Sequence, residues 1–228
     1  MNRVRWLEAR WPVAIRTLAS RLKARGFSNE NTDGFLIERV RDSFLEGRFF
    51  EKVLFAETVR DPFGQETTFE RLTYREVEFT FSASYPQVEL RKFPRNTHAF
   101  VTRTAEVTDF ATTFIPVSVD AFSWADRIRA VFPKQFRIDL AQLSEVAIEE
   151  NVFARVVLSS PQDIRAALGR FTNRRQHQVD RIQIRLEYAD ELVSFQLAPD
   201  GTLRSIDVLP AEVLDAVRQA LPGAIAKK

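Results

Sequence analysis

"RFFEKVLFAETVRDPFGQETTFERLTYREVEFTFSAS", residues 48–84, is the stretch that decides the fold. Its two halves are rich in aromatic and β-branched residues, the types that fit a pleated surface. Between them, "DPFGQ" (61–65) places Pro and Gly where a chain reverses. The reading is a long antiparallel hairpin. Leu72 and Tyr74 share one parity and Val77, Phe79 and Phe81 the other, so a bulge or strong twist is expected near Arg75. "QVELRKF" (87–93) follows as a third strand.

Working toward the N-terminus, the period changes. Val4, Leu7, Trp11, Ile15, Leu18 and Leu22 recur at three- and four-residue steps and predict a helix, with Pro12 either kinking it or opening it. Gly26 supplies the stop. The polar side carries Arg3, Arg5, Arg10, Arg16, Arg21, Lys23 and Arg25 against Glu8, a basic amphipathic pattern. After "SNENTD", the positions Leu36, Val40 and Phe44 predict a second helix over 33–46, ended by Gly47.

Toward the C-terminus, a strand is expected near 98–103 and another near 115–119. "SWADRIRAVF" (123–132) reads as a helix capped by Ser123. "SPQDIRAALGRF" (160–171) reads as one capped by Ser160, with Pro161 in its first position. "QFRIDLAQLS" and "VFARVVLSS" are strands joined by the acidic stretch 145–151. In "VDRIQIRLEY", Ile182, Ile184 and Leu186 alternate with Arg181, Gln183, Arg185 and Glu187, the pattern of a half-exposed antiparallel strand. "ELVSFQLA", the Asp200-Gly201 turn and "TLRSIDVL" complete a meander. "PAEVLDAVRQAL" is a closing helix. The expected class is therefore α+β: two N-terminal helices, then mainly antiparallel sheet with long hairpins and short capping helices. The expected segments are 1–47, 48–132 and 133–228, the last two as α+β lobes.

Composition limits function. The 228 residues have ordinary apolar (45%) and charged (28%) content, so the chain can bury a sizeable core. Twenty Phe point to a Phe-packed sheet or, more sharply, to a Phe-lined cavity or sticky face. With no Cys, disulfides, thiol nucleophiles and cysteine metal sites are excluded. His98 and His177 lie far apart. No apolar run approaches the roughly 18 residues of a membrane span, and the basic N-terminus lacks a signal-peptide pattern, so a cytoplasmic location is expected. The net charge of +2 does not announce a nucleic-acid binder.

Seven Gly leave no GxGxxG, GxxxxGK[ST] or GxSxG, and no cofactor is implied. Glu89 with Arg91 and Lys92, and Asp61 one hairpin earlier, loosely match a metal-dependent nuclease. "GRFTNRRQHQVDR" (169–181) gathers Arg170, Arg174, Arg175, His177 and Arg181. A helix dipole accounts for basic residues at its own C-terminus, Arg170 above all, but not for Arg175 or Arg181. With Arg16, Arg21, Lys23 and Arg25 of the N-terminal helix, these residues are the candidates for contact with a protein partner or with phosphate. The expected function is a non-enzymatic interaction protein, an accessory or adaptor subunit of a bacterial-type multi-component system. Nucleic-acid binding through the same residues is the alternative, and a metal-dependent nuclease or a carrier of an apolar ligand comes behind.

Overall fold

A computed structural model describes residues 2–173 and 175–225. In chain order the elements are β1 (Asn2–Arg10), α1 (Ile15–Ala24), β2 (Asp33–Val40), β3 (Phe44–Arg60), β4 (Glu66–Ser82), β5 (Val88–Arg91), α2 (His98–Val107) and β6 (Thr113–Pro116). They continue with α3 (Ala121–Val131), β7 (Arg137–Glu149), β8 (Val152–Ser159), α4 (Arg165–Thr172), β9 (Gln178–Tyr188), β10 (Glu191–Ala198), β11 (Thr202–Ser205) and α5 (Ala211–Ala220). The class is α+β and mainly antiparallel. The chain forms two compact units. An inserted unit comprises Ala9–Phe114, and an N/C unit combines Met1–Glu8 with Ile115–Lys228.

Inside the inserted unit the strands run in the order β2-β3-β4-β5. The hairpin predicted from 48–84 is present and longer than its quoted stretch, with seventeen residues in each strand. Asp61 builds its turn: the Asp61 carboxylate accepts from the N–H groups of Phe63 (2.9 Å) and Gln65 (2.8 Å). Gly64 supplies the positive φ of +89° that the reversal needs. Phe35, Phe49, Phe79, Phe81 and Phe100 pack ring against ring at centroid distances of 4.6 to 6.4 Å. All five are buried, and so are Ile15, Leu18 and Leu22 of α1.

Within the N/C unit the order is β1-β11-β10-β9-β7-β8. One cross-strand row, Val4–Leu203–Leu197–Ile182–Ala141, crosses five strands and is buried throughout. Helices cover this side. Trp124 of α3 meets Trp6 of β1 edge to face at 5.8 Å and donates its indole N–H to the Val217 carbonyl of α5 (2.9 Å). Arg165 of α4 ties to Asp126 of α3 at 2.5 Å.

Several expectations are corrected. The two N-terminal helices are not formed as read. Residues 2–10 are strand, and the helix begins at Ile15, after Pro12. Val4 and Trp6 are buried with period two, and β1 pairs with β11, so ladder hydrogen bonds outweigh a helical spacing that only the later residues continue. The second helix is replaced by β2 and the start of β3. Positions four apart also share one parity of a strand, so Leu36, Val40 and Phe44 could not separate the two, and Leu36 is exposed. The expected strand at 98–103 is α2. Asn96 accepts from the His98 N–H (2.8 Å), and Thr104 donates back to the Phe100 carbonyl (2.8 Å). Asp120, not Ser123, caps α3 by accepting from the Ser123 N–H. α4 starts at Arg165, because the Asp163 carboxylate accepts from the N–H groups of Arg165 and Ile138 and holds 160–163 out of the helix. No bulge occurs near Arg75: β3 and β4 pair in continuous register.

Candidate functional site

The continuous register leaves the change of apolar parity in β4 to be explained, and burial explains it. On the core side of the hairpin, Leu45, Phe49, Val77, Phe79 and Phe81 are buried. That side ends at the Glu51–Arg75 ion pair (3.6 Å). Up to this level the outer face is polar and charge-paired, with Arg48 on Glu38 (2.6 Å) and Glu76 (3.5 Å), and Lys92 on Glu78 (2.5 Å). Beyond it the hairpin continues as a two-stranded arm, apolar on both faces. One face carries Leu54, Leu72 and Tyr74, the other Phe55, Phe69 and Val59, and Phe63 at the tip is 95% exposed. The Phe residues of this hairpin thus divide along it, into packed core near its base and an exposed surface toward its tip.

The edges of the arm are open as well. β2 pairs with β3 as far as Glu51, and β5 pairs with β4 from Glu78 onward. Among the described residues no strand pairs with the arm beyond these points. Beyond the Glu51–Arg75 pair its charge is nearly balanced, with Lys52, Arg60 and Arg71 against Glu57, Asp61, Glu66 and Glu70. A two-stranded ribbon is marginal in water by itself, and open apolar edges are templates for further strands.

The predicted basic residues fall in both units. Arg16, Arg21, Lys23 and Arg25 belong to the inserted unit and Arg170–Arg181 to the N/C unit. Arg16 is paired with Asp42, which raises the Arg16 pKa and lowers that of Asp42, first through their hydrogen bond. Arg21 reaches Asp109 (3.2 Å) and the Val107 carbonyl (3.3 Å). Lys23 and Arg25 are exposed. Arg25 borders a cleft of about 540 Å³ whose walls include Asp33, Arg103 and Glu106. There the Arg103 guanidinium bonds both carboxylates at 2.8–3.0 Å, and the hydrogen bonds from Glu106 and then Asp33 raise its pKa. The charges of Asp33, Arg103 and Glu106 are therefore satisfied by one another.

Within 169–181, Arg170 is exposed. Arg174 lies outside the described residues. Arg175 folds back on the chain, its guanidinium 4.9 Å from the Phe171 ring centroid and donating to the Phe171 carbonyl (3.3 Å). His177 Nδ1 lies 2.9 Å from the Arg175 carbonyl. Arg181 is different. It stands on β9, donates to Gln196 (3.2 Å) and shares a cleft of about 360 Å³ with Arg204.

Glu89 is buried and bonded to Arg91 Nε (2.7 Å), while Asp61 is engaged in the hairpin turn. Among the described residues, no group of three or more His, Asp or Glu side chains is placed to hold a metal ion. No helix among them is long and apolar enough to cross a membrane.

No protein-family model matches the chain, and no curated protein matches it significantly.

Proposed function

We propose that this chain is a non-enzymatic macromolecular interaction protein, an accessory subunit of a larger assembly, and that the β3–β4 arm is its docking element. The observation that carries this reading is the exposure of Leu54, Phe55, Phe63, Phe69 and Leu72 on a hairpin with both edges open. A folded chain keeps so apolar a ribbon in water at a cost, which a partner surface offsets by burying it.

The occupant we assign to the arm is the arm of a second copy. A polyanion needs a cationic surface, and the arm carries one more acid than base. A nearly neutral antiparallel edge meets its own copy about a two-fold axis with little charge repulsion, and the contact is self-complementary. Such pairing joins two ribbons into a four-stranded sheet and satisfies the open backbone groups along one edge of each.

Sedimentation of the full chain over a concentration series tests this. The wild type should form a concentration-dependent dimer. Phe55→Glu/Phe69→Glu should stay monomeric with an unchanged circular dichroism spectrum. A wild type that remains monomeric at every soluble concentration would overturn the assignment.

One observation favours a second reading, nucleic-acid binding: of the predicted basic residues, Arg181 opens onto a surface lined by other arginines.

A further inference from the structure

The N/C sheet has two unlike sides. The buried row Val4–Leu203–Leu197–Ile182–Ala141 faces the helices. One residue along each strand, the opposite side reads Arg3–Arg204–Gln196–Gln183–Leu140 in direct register. Arg5, Arg181, Arg185 and Arg137 fall on this same side, since alternate residues of a strand share a face. Six cations, from four of the five neighbouring strands, therefore occupy one sheet face, and all six are arginine.

Four acids on this side, Asp139, Asp180, Asp200 and Glu187, do not balance the six arginines. Asp139 pairs with Arg185 (2.5 Å) and Asp200 reaches Arg5 (3.7 Å), while Asp180 pairs with Arg155 of β8 (3.6 Å) and accepts from Gln142 and Ser144. Like charges directly opposite one another destabilise a sheet, yet Arg3 and Arg204 are register partners. The Arg3 guanidinium is held below its usual pKa, first by burial, then by Arg204 and Arg5, with Asp200 opposing. The Nε–H groups of Arg5, Arg137, Arg181 and Arg204 are buried and donate to no hydrogen-bond partner among the described residues. Buried polar groups are normally satisfied, so donors left over on one face point to an acceptor that binds there.

We propose that this arginine face binds the phosphodiester backbone of a single-stranded nucleic acid. Arginine forks match phosphate oxygens in pairs. Adjacent strands are roughly 4.8 Å apart, so the cations from β1 to β7 span roughly 19 Å, enough for several phosphates of an extended strand. The surface is two shallow clefts of about 360 and 400 Å³, not one enclosed pocket, which suits a polymer laid across the strands. Gln142, Gln183 and Gln196 lie among the arginines with their amides bonded to Asp180, Asp139 and Gln183, and the guanidinium planes offer stacking surfaces. This face is in the N/C unit and does not depend on the arm.

Fluorescence anisotropy of the full chain with labelled single-stranded RNA and DNA oligonucleotides, titrated with salt, tests the proposal. Affinity should fall linearly with salt on logarithmic axes. Arg181→Ala/Arg204→Ala should weaken binding and lessen the slope by about 1.4, two single-strand phosphate contacts. Lys23→Ala, on α1, should leave binding unchanged. Better binding of RNA than of DNA, or the reverse, identifies the sugar and supports the site in either case. No binding at low salt, an unchanged slope in a double variant that melts like wild type, or stronger binding of poly-glutamate than of either oligonucleotide would overturn it.

Discussion

Leu54 on β3 stands directly opposite Leu72 on β4, and both are exposed, at 70% and 48%. Elsewhere such a pair closes a core; here it lies on a ribbon that no other described strand joins. The same hairpin holds Leu45 opposite Phe81, and both of those are fully buried. One element thus serves two ends, a core at its base and a surface at its tip.

Replacing that exposed pair with Leu54→Lys/Leu72→Glu puts opposite charges across the ribbon, which the register tolerates. Thermal midpoints should change little, because neither side chain contributes to the core. Self-association should fall at least tenfold. Light scattering on the eluting protein, with melting curves alongside, reads both effects.

Gly201, in the β10–β11 turn, has φ +72°, and a Cβ there would lie 2.2 Å from Val117 Cγ2 and 3.1 Å from the Trp6 carbonyl. Gly201 also accepts the Trp6 N–H at 3.0 Å, which fastens the turn to β1. Gly201→Ala combines left-handed strain with overpacking and should destabilise by about 2–4 kcal/mol. Urea unfolding measures it, and Gly169→Ala, where a Cβ meets nothing within 4 Å, is the control.

Trp124 is fully buried between Trp6 and α5, with its indole N–H satisfied by the Val217 carbonyl. Trp124→Ala should cost about 3–5 kcal/mol by opening a cavity. Trp124→Phe should cost less, since it refills much of the space and removes a donor and one ring. Chemical denaturation followed by circular dichroism ranks the two.

Asp163 links the start of α4 to β7. Burial pushes its pKa up, but hydrogen bonds from the Arg165 side chain and from the N–H groups of Arg165 and Ile138 outweigh that and hold it below the usual carboxylate value. A depressed folded pKa contributes stability that is present above the unfolded value, about 4, and lost as pH falls through the folded value. Asp163→Asn should therefore lower stability at neutral pH, on the order of 2 kcal/mol. Its stability should also fall less than that of wild type below about pH 4. Melting temperatures from pH 7 to pH 2 give both comparisons.

The legible part of the fold was the part where period and turn chemistry agree. Asp61, Pro62 and Gly64 mark a reversal between two runs of strand formers, and the alternation in 179–188 has no helical reading. Residues 2–10 and 33–46 misled because their apolar spacings of three and four fit a helix, while the pairing that makes them strands lies at Thr202–Ser205 and Leu45–Glu51. Residues 98–107 contain Phe, Val and Thr, which suggest a strand, yet back-bonding threonines and the Arg103–Glu106 pair hold a helix. Of the residues named as contact candidates, Arg181 alone belongs to the arginine face; Arg3 and Arg5, read as part of a basic helix, lie on it as strand residues. Its companions at positions 3, 5, 137, 185 and 204 are scattered along the chain and gathered only by sheet register. The alternation of Arg181, Gln183 and Arg185 against Ile182 and Ile184 was the one trace of that face in the sequence.

Hydrogen exchange of the full chain at increasing protein concentration tests the central claim most directly. If the arm pairs with its own copy, amides in 53–60 and 66–73 become slower to exchange as concentration rises, and amides of the N/C sheet do not change. Exchange in the arm that is equally fast at every concentration would contradict the account.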